Sequence, residues 1–438
     1  MGAAAFITGK PTMHDNPHAH HALYRRVSWR LMPFLFLCFV AAYLDRVNVG
    51  FAKLQMLADL RFSDTVYGVG AGMFFIGYFI FEVPSNLLMT RAGARLWIAR
   101  IMISWGLISS AMMFTNSVTT FYVLRFLLGA AEAGFFPGII LYLTYWYPAH
   151  RRARMVALFM SGVAIAGVVG GPLSGWIMKA FDGTRGWSGW QWLFLLEGIP
   201  SVLLGIWTLF YLDDGIRDAR WLSEADKRVL EAAIAEDRVG QQHLPLAQVF
   251  RSGKVWLLAL VYFLFVMGLY GVSFWLPQLI KNSGVADVFH IGLLTAIPYC
   301  VAAVVMVAAA RHSDRTGERR WHAACAGVAG ALGLIVATAY SDNTVIALAA
   351  LSVATAGILS TFPIFWSLPT AMLGGAAAAA GIAMINSLGN LAGFVSPYLV
   401  GAIKDATSST SSGIYLLAAS LVAGAVLVIV AVKAPSAR

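Results

Sequence analysis

The chain has 438 residues and a formal charge of +10; 59% of its residues are hydrophobic and 12% are charged, the latter about half the share usual in soluble domains. A chain this apolar lacks the polar surface to face water, which excludes a soluble enzyme and makes lipid its solvent. Cys38, Cys300 and Cys325 lie far apart inside apolar runs, a pattern that excludes a disulfide framework or a thiolate metal site.

Residues 1–22 are polar, and the first apolar run is followed by no cleavage pattern, so no cleavable signal is expected. His14, His18, His20 and His21 are given no role. A bilayer core needs roughly 20 apolar residues per helix. Runs of that length predict spans at 30–51, 66–89, 95–114, 118–146, 153–178, 190–212, 255–280, 289–310, 322–340, 344–371, 377–402 and 413–433. The one long polar stretch, Asp213 to Lys254, divides them. Within it, Ser223 ahead of Glu224 and Asp226 reads as an N-cap with an acidic first turn. Val229, Leu230 and Ile234 then give a short amphipathic helix at the membrane surface. The expected organisation is a tail at 1–23, a six-helix bundle at 24–212, a linker at 213–254, a second bundle at 255–433 and a tail at 434–438. This is an all-α polytopic membrane protein with twelve transmembrane helices in two pseudo-symmetric six-helix bundles.

The basic residues set the expected orientation. One side receives Lys10, Arg25, Arg26, Arg30, Arg91, Arg95, Arg100, Arg151, Arg152, Arg154, the linker's basic residues, Arg311, Arg315, Arg319, Arg320, Lys433 and Arg438. The other receives only Lys53, Arg61, Lys179, Arg185, Lys281 and Lys404. Both termini are therefore expected in the cytoplasm, and the basic excess needs no nucleic acid to explain it. The halves also echo one another. Arg91-Ala92-Gly93-Ala94-Arg95 follows the second span, and Arg315-Thr316-Gly317-Glu318-Arg319, preceded by Asp314, follows the eighth, 224 residues later. Glu82, Arg91, Arg95, Asp314, Arg315 and Arg319 are the expected gating residues, with Glu82 facing the Arg91 loop. Paired bundles of this kind hold substrate between repeats at the midplane.

The Asp-Arg-x-Gly-x-Arg-Arg loop at 314–320 resembles the signature loop of the major facilitator superfamily. Leu44-Asp45-Arg46-Val47-Asn48-Val49-Gly50-Phe51 resembles the first helix of its anion:cation symporter family. So do Gly77 to Asn86 in the second span and Arg125 to Gly138 in the fourth. Phe365-Trp366-Ser367-Leu368-Pro369-Thr370 and Asn386 to Gly393 are similar to the tenth and eleventh helices of that family. The resemblance runs from about residue 24 to 432. It departs at Thr90, where the superfamily loop has Asp, so a clamp there must be weaker or made elsewhere. It implies a major facilitator fold and proton-coupled carriage of acids such as tartrate, phthalate, 4-hydroxyphenylacetate or sugar acids in a bacterial inner membrane.

Asp45 and Arg46 lie deep in the first span, Arg125 and Glu132 in the fourth. A charge at a helix centre costs about 2.5–3.5 kcal/mol on insertion scales, so four of them need a purpose. Arg125 and Glu132 are seven apart and return to nearly one helix face; Asp45 and Arg46 point about 100° apart and serve different contacts. Paired charges locking two helices is the structural reading. The functional one assigns Arg46, with Arg125, to a substrate carboxylate, since guanidinium offers a bidentate fork that stays charged. Asp45 and Glu132 then carry protons as the coupling ion beside the organic anion, with no other cofactor expected and sodium in place of protons the alternative. Tyr43, Tyr78, Trp366, Ser367, Asn386 and Asn390 complete the candidate cavity, and packing or interhelical hydrogen bonding is their alternative role. Glu197 is read as structural. Pro137, Pro172, Pro363, Pro369 and Pro397 are expected to kink their spans.

Gly167-Val168-Val169-Gly170-Gly171-Pro172 to Gly175 resembles a fifth-helix motif of proton-driven drug exporters, although glycine faces also simply allow close packing. No nucleotide loop, metal cluster or nucleophile arrangement is present in the sequence. The expected function is proton-coupled uptake of a small organic anion by a monomer. A proton-coupled exporter and a non-transporting membrane sensor are the alternatives.

Overall fold

The structure is a computed structural model that describes residues 17–238, 251–372 and 376–431. Residues 1–16 of the expected N-terminal tail, with Lys10 and His14, residues 432–438, with Lys433 and Arg438, and the linker stretch 239–250 lie outside the described residues. Helices α1 (Pro17–Val47) and α2 (Val49–Leu60) make the first span, followed by α3 (Asp64–Ala92) and α4 (Ala94–Ala111). The fourth span is α5 (Val118–Glu132) with α6 (Phe135–Thr144), the fifth α7 (Ala149–Met160) with α8 (Gly162–Ala180), and the sixth α9 (Gly189–Tyr211). The linker carries α10 (Glu224–Arg238), whose first turn is capped by Ser223 accepting from the Asp226 N–H at 3.1 Å. The second half runs α11 (Gly253–Asn282), α12 (Val288–Thr316), α13 (Arg320–Ala339), α14 (Thr344–Met372), α15 (Ala376–Asn390), α16 (Ala392–Thr407) and α17 (Thr410–Ala431).

Eleven stretches of the described residues are long and apolar enough to cross a membrane. The remaining expected span is α15 with α16, joined through one tight turn where the Leu391 N–H bonds the Leu388 carbonyl at 3.2 Å. Helix starts are placed by short polar side chains: Ser63 accepts from Val66, Ser117 from Thr120 and Asp287 from His290, each satisfying an N–H that the helix leaves open. With α15–α16 as the twelfth crossing, the start of α1 and the end of α17 lie on one face, here the termini face; the opposite one is the distal face.

One expectation needs correction here. The first span does not stop at 51 but continues to Leu60, which carries Lys53 into the protein, 2% exposed, instead of onto a loop. The prolines, expected to kink their spans, lie within continuous helix or in a first turn. Assigned helix continues through Pro172, Pro363, Pro369 and Pro397, and Pro137 sits in the first turn of α6. The interruptions fall at Asn48, Ala133–Gly134, Ser161 and Leu391. At Ala133–Gly134 the dihedrals leave the helical region altogether, with Gly134 at φ +87°. A Cβ on Gly134 would collide with the Ser85 hydroxyl, so glycine is required for both its dihedral and its space.

The two halves meet over the distal part of the molecule. Gly68 and Gly72 of α3 lie against Pro397 and Phe394 of α16, Gly50 of α2 against Phe274 of α11, and Gly171 and Gly175 of α8 against Gly292 and Val288 of α12. Near the distal surface Lys53 stands 2.7 Å from Asp64 and its ammonium lies 3.1 Å from the centre of the Trp275 ring. Asp64 also pairs with Lys404 at 2.8 Å, while Asp405 accepts from the Asp64 and Thr65 N–H groups. Lys179 and Asp287 close the α8–α12 edge at 2.6 Å.

The termini-face loops instead bind within their own halves. The Arg95 N–H donates to Asp214 at 2.8 Å, and the Arg95 side chain lies 3.9 Å from the same carboxylate. Asp214, just past α9, thus supplies the acidic partner that Thr90 does not. In the second half Arg319 pairs with Asp314 at 2.6 Å, and Arg320 donates to the Val428 and Ile429 carbonyls near the end of α17. Each loop therefore ties its own bundle together. Arg91 and Arg315 are exposed.

Candidate functional site

The two adjacent charges of α1 diverge as a 100° step demands. Asp45 turns into the first bundle, fully buried. It accepts from Trp105 Nε1 at 3.0 Å and Ser109 Oγ at 2.7 Å on α4, and from Ser201 Oγ at 2.6 Å on α9. Three donors suit the ionised carboxylate. Either serine can also rotate and accept, so the pocket tolerates the protonated acid, whereas the indole can only donate.

Arg46 turns towards the second bundle. It donates to Glu132 at the end of α5 and to the Tyr270 hydroxyl of α11 at 3.3 Å, with its guanidinium against the Phe74 and Tyr78 rings. Glu132 is fully buried, and its second oxygen has no hydrogen-bond partner among the described residues. Immediately after it the helix breaks at Ala133–Gly134. The ion pair thus stands at the junction of the two bundles, beside a broken helix.

The other candidates spread around this pair. Arg125 is fully buried but clamped to α3, donating to the Gly70 carbonyl at 3.3 Å and the Ala71 carbonyl at 3.1 Å, with one guanidinium nitrogen unpaired among the described residues. Tyr43 shares a hydrogen bond of 3.3 Å with Ser273 across the halves. Glu82 does not meet the Arg91 loop; its carboxylate is turned inward and accepts from Ser387 of α15 at 3.0 Å. Trp366 is half-buried, its ring centre 4.8 Å from that of Tyr262, and Ser367 donates to the Ile364 carbonyl. Asn386 and Asn390 are half-buried on one side of α15.

Sequence reasoning did not single out Tyr270, Trp105, Ser109 or Ser201. Only the pairing of helices across and within bundles reveals them, because each is an ordinary residue of an apolar span. The glycine motif of α8 is explained by its neighbours: Gly167 rests on the Tyr299 ring, and Gly171 and Gly175 rest on backbone of α12. It is packing between the halves.

Comparison with known proteins agrees with this architecture. The family model of the Major Facilitator Superfamily matches residues 35–397. The chain is 50% identical to a putative metabolite transport protein, NicT, of Pseudomonas putida, over 97% of this chain and 98% of that protein. It is 48% identical to a putative tartrate transporter of Agrobacterium vitis, covering 93% and 90% of the two, and 41% identical to a quinolone resistance transporter of Acinetobacter baumannii, covering 92% and 93%. Among solved structures it is similar to a D-xylose–proton symporter, with a TM-score of 0.73 at 18% identity over 93% of this chain and 98% of that one. The protein is a multi-pass membrane transporter, not an enzyme, and it belongs to the major facilitator superfamily.

Proposed function

We propose that the chain imports a small organic anion, a mono- or dicarboxylate, together with protons across a bacterial inner membrane. The observation that carries this reading is the buried Arg46–Glu132 pair at the junction of the bundles. A substrate carboxylate can take Arg46 only by displacing Glu132. Left ionised and unpaired, Glu132 would cost about 3–5 kcal/mol, which weakens substrate binding by about a hundred- to several-thousand-fold. A proton on Glu132 removes that cost. Substrate and proton therefore bind better together than apart, which is the thermodynamic content of symport. Asp45, held by three donors of which the two serines can also accept, supplies a second proton site. Tyr43, Tyr78, Tyr270, Trp366, Ser367, Asn386 and Asn390 shape the cavity around the acid, and the unpaired nitrogen of Arg125 adds positive potential.

The basic residues concentrate on the termini face, which makes that face cytoplasmic. The distal closure then corresponds to a state facing inward. The test is uptake into proteoliposomes under an imposed proton gradient, with tartrate, phthalate, 4-hydroxyphenylacetate, nicotinate and sugar acids as the panel. Accumulation of one of them on the side the protons enter supports the reading. Gradient-driven expulsion supports the exporter suggested by the quinolone-resistance relative, and binding without movement supports a sensor. Glu132→Gln should abolish gradient-driven accumulation and retain exchange; accumulation at the wild-type level in that variant refutes the coupling.

A further inference from the structure

Like Glu82, another buried carboxylate lies outside this scheme. Glu197 of α9 is 4% exposed, one helical turn before Ser201 on the same face. Ser174 of α8 donates to its Oε1 at 2.7 Å. The Asn48 side chain lies against the same carboxylate but outside hydrogen-bond geometry, so both amide atoms and Glu197 Oε2 lack partners among the described residues. Unpaired buried polar atoms cost free energy unless water or a proton serves them. The charged group whose field reaches Glu197 is Asp45 of α1. The polar groups packed on it from the other elements are Ser174 of α8 and Asn48.

Beside these groups lies a cavity of about 20 Å³, lined by Asn48, Ser174, Ser273, Thr295 and Tyr299 among others, enough for one water. Its walls come from both halves, and it lies within the distal seam formed by α8 and α12. Parting of that seam would open the cavity to distal water, and its lining residues Asn48 and Ser174 both lie against Glu197. From Glu197 the way inward passes Ser201, whose hydroxyl already donates to Asp45 at 2.6 Å.

We propose that Glu197 is a relay carboxyl: it takes a proton from distal water when the halves separate there and passes it through Ser201 to Asp45. The proton leaves a hydronium ion and binds Glu197 Oε2. On transfer the Ser201 oxygen accepts it and releases its own hydrogen to Asp45, and Glu197 returns to the anion. A merely structural Glu197, tying α8 to α9 through Ser174, has no need of a second oxygen left without a partner among the described residues.

This inference rests on the proton-coupled reading, but its test does not depend on which acid is carried. Infrared spectra of the full chain in nanodiscs are recorded across pH, and the protonated-carboxyl band lost in Glu197→Gln and displaced in Ser174→Ala identifies the group. The band should titrate. Its exchange with D2O should be at least tenfold faster in Asp64→Asn, which weakens the distal closure, than in the wild-type protein. Absence of the band at every pH, or equal exchange rates in the two proteins, overturns the proposal. If Glu197→Gln does not fold, the displacement in Ser174→Ala identifies the band alone. In proteoliposomes where wild-type protein accumulates tartrate, Glu197→Gln should flatten the pH profile of accumulation while Glu197→Asp restores it. An unchanged profile in Glu197→Gln also overturns the relay. Failure of the wild-type protein to respond to the gradient refutes symport and leaves the infrared result readable.

Discussion

Replacing Asp64 by Asn is the sharpest perturbation of the distal closure. In the closed state Lys53 is 2% exposed and held by Asp64 at 2.7 Å, with Trp275 and Tyr67 beneath its ammonium at 3.1 and 4.4 Å. Asp64 also separates Lys53 from Lys404, which it binds at 2.8 Å. Removing one partner of a buried pair costs about 3–5 kcal/mol. The cation–π contacts and the nearby Asp405 remain, so the lower end, about 3 kcal/mol, applies. When the distal side opens, water solvates Lys53 and the penalty vanishes. The closed-to-open ratio should therefore fall about a hundredfold. Spin labels at the exposed positions Asp182 and Asp342, in distal loops of opposite halves, report this as a shift of the distance distribution to longer values. Lys53→Met in the same chain removes the stranded charge and fills the aromatic box, so the double variant should return most of the way to the wild-type distribution. An unchanged distribution in Asp64→Asn, or full additivity of the two substitutions, refutes this reasoning.

Asp45→Asn places an amide where Trp105, Ser109 and Ser201 all donate; it should cost about 1–3 kcal/mol of thermal stability and remove the drive of the proton gradient, read as accumulation against exchange. Gly129→Ala sets a methyl group into the Phe74 carbonyl of α3, so the melting temperature should fall by an amount equivalent to about 1–3 kcal/mol, with no change in the pH profile of whatever activity survives. In the 317–319 loop, partial burial works to raise the Glu318 carboxyl, but the Trp321, His322 and Arg320 N–H groups and the His322 ring outweigh it and hold it below the usual range. Its folded-state value is depressed, so its contribution is present above the unfolded value and is lost as pH falls through the folded one. Hydrogen exchange at the start of α13 should thus quicken on acidification in that window. Glu318→Ala should show the quickened exchange already at neutral pH, at a cost of about 1 kcal/mol.

The spans and the buried charges were legible because insertion into lipid makes both conspicuous: long apolar runs, and rare charges within them. The divergence of Asp45 and Arg46 followed from helical geometry alone. Lys53 was misplaced because a lysine near a predicted span end reads as exposed, and only the folded chain brings Trp275 and Tyr67 around it. Glu197 looked structural since its tryptophan-rich surroundings say nothing of Ser174, Asn48 or the cavity beside them. Kinks were expected at the prolines, and nothing singled out Ala133–Gly134, where α5 ends. A missing proline N–H is tolerated where neighbouring helices satisfy the freed carbonyl, while a left-handed dihedral interrupts the helix outright. Glu82 lay within reach of a basic loop along the sequence, yet its side chain points the other way.

The α8–α12 seam is built from Gly171, Gly175 and Gly292, backbone against backbone. Side chains that interdigitate must refreeze their rotamers each time such a surface re-forms, at up to about 2 kcal/mol for the long flexible ones. Glycines have no rotamers to lose. If the halves part here during transport, such a seam works as a smooth bearing with little entropic penalty, and the charged contacts at its rim set the strength of closure.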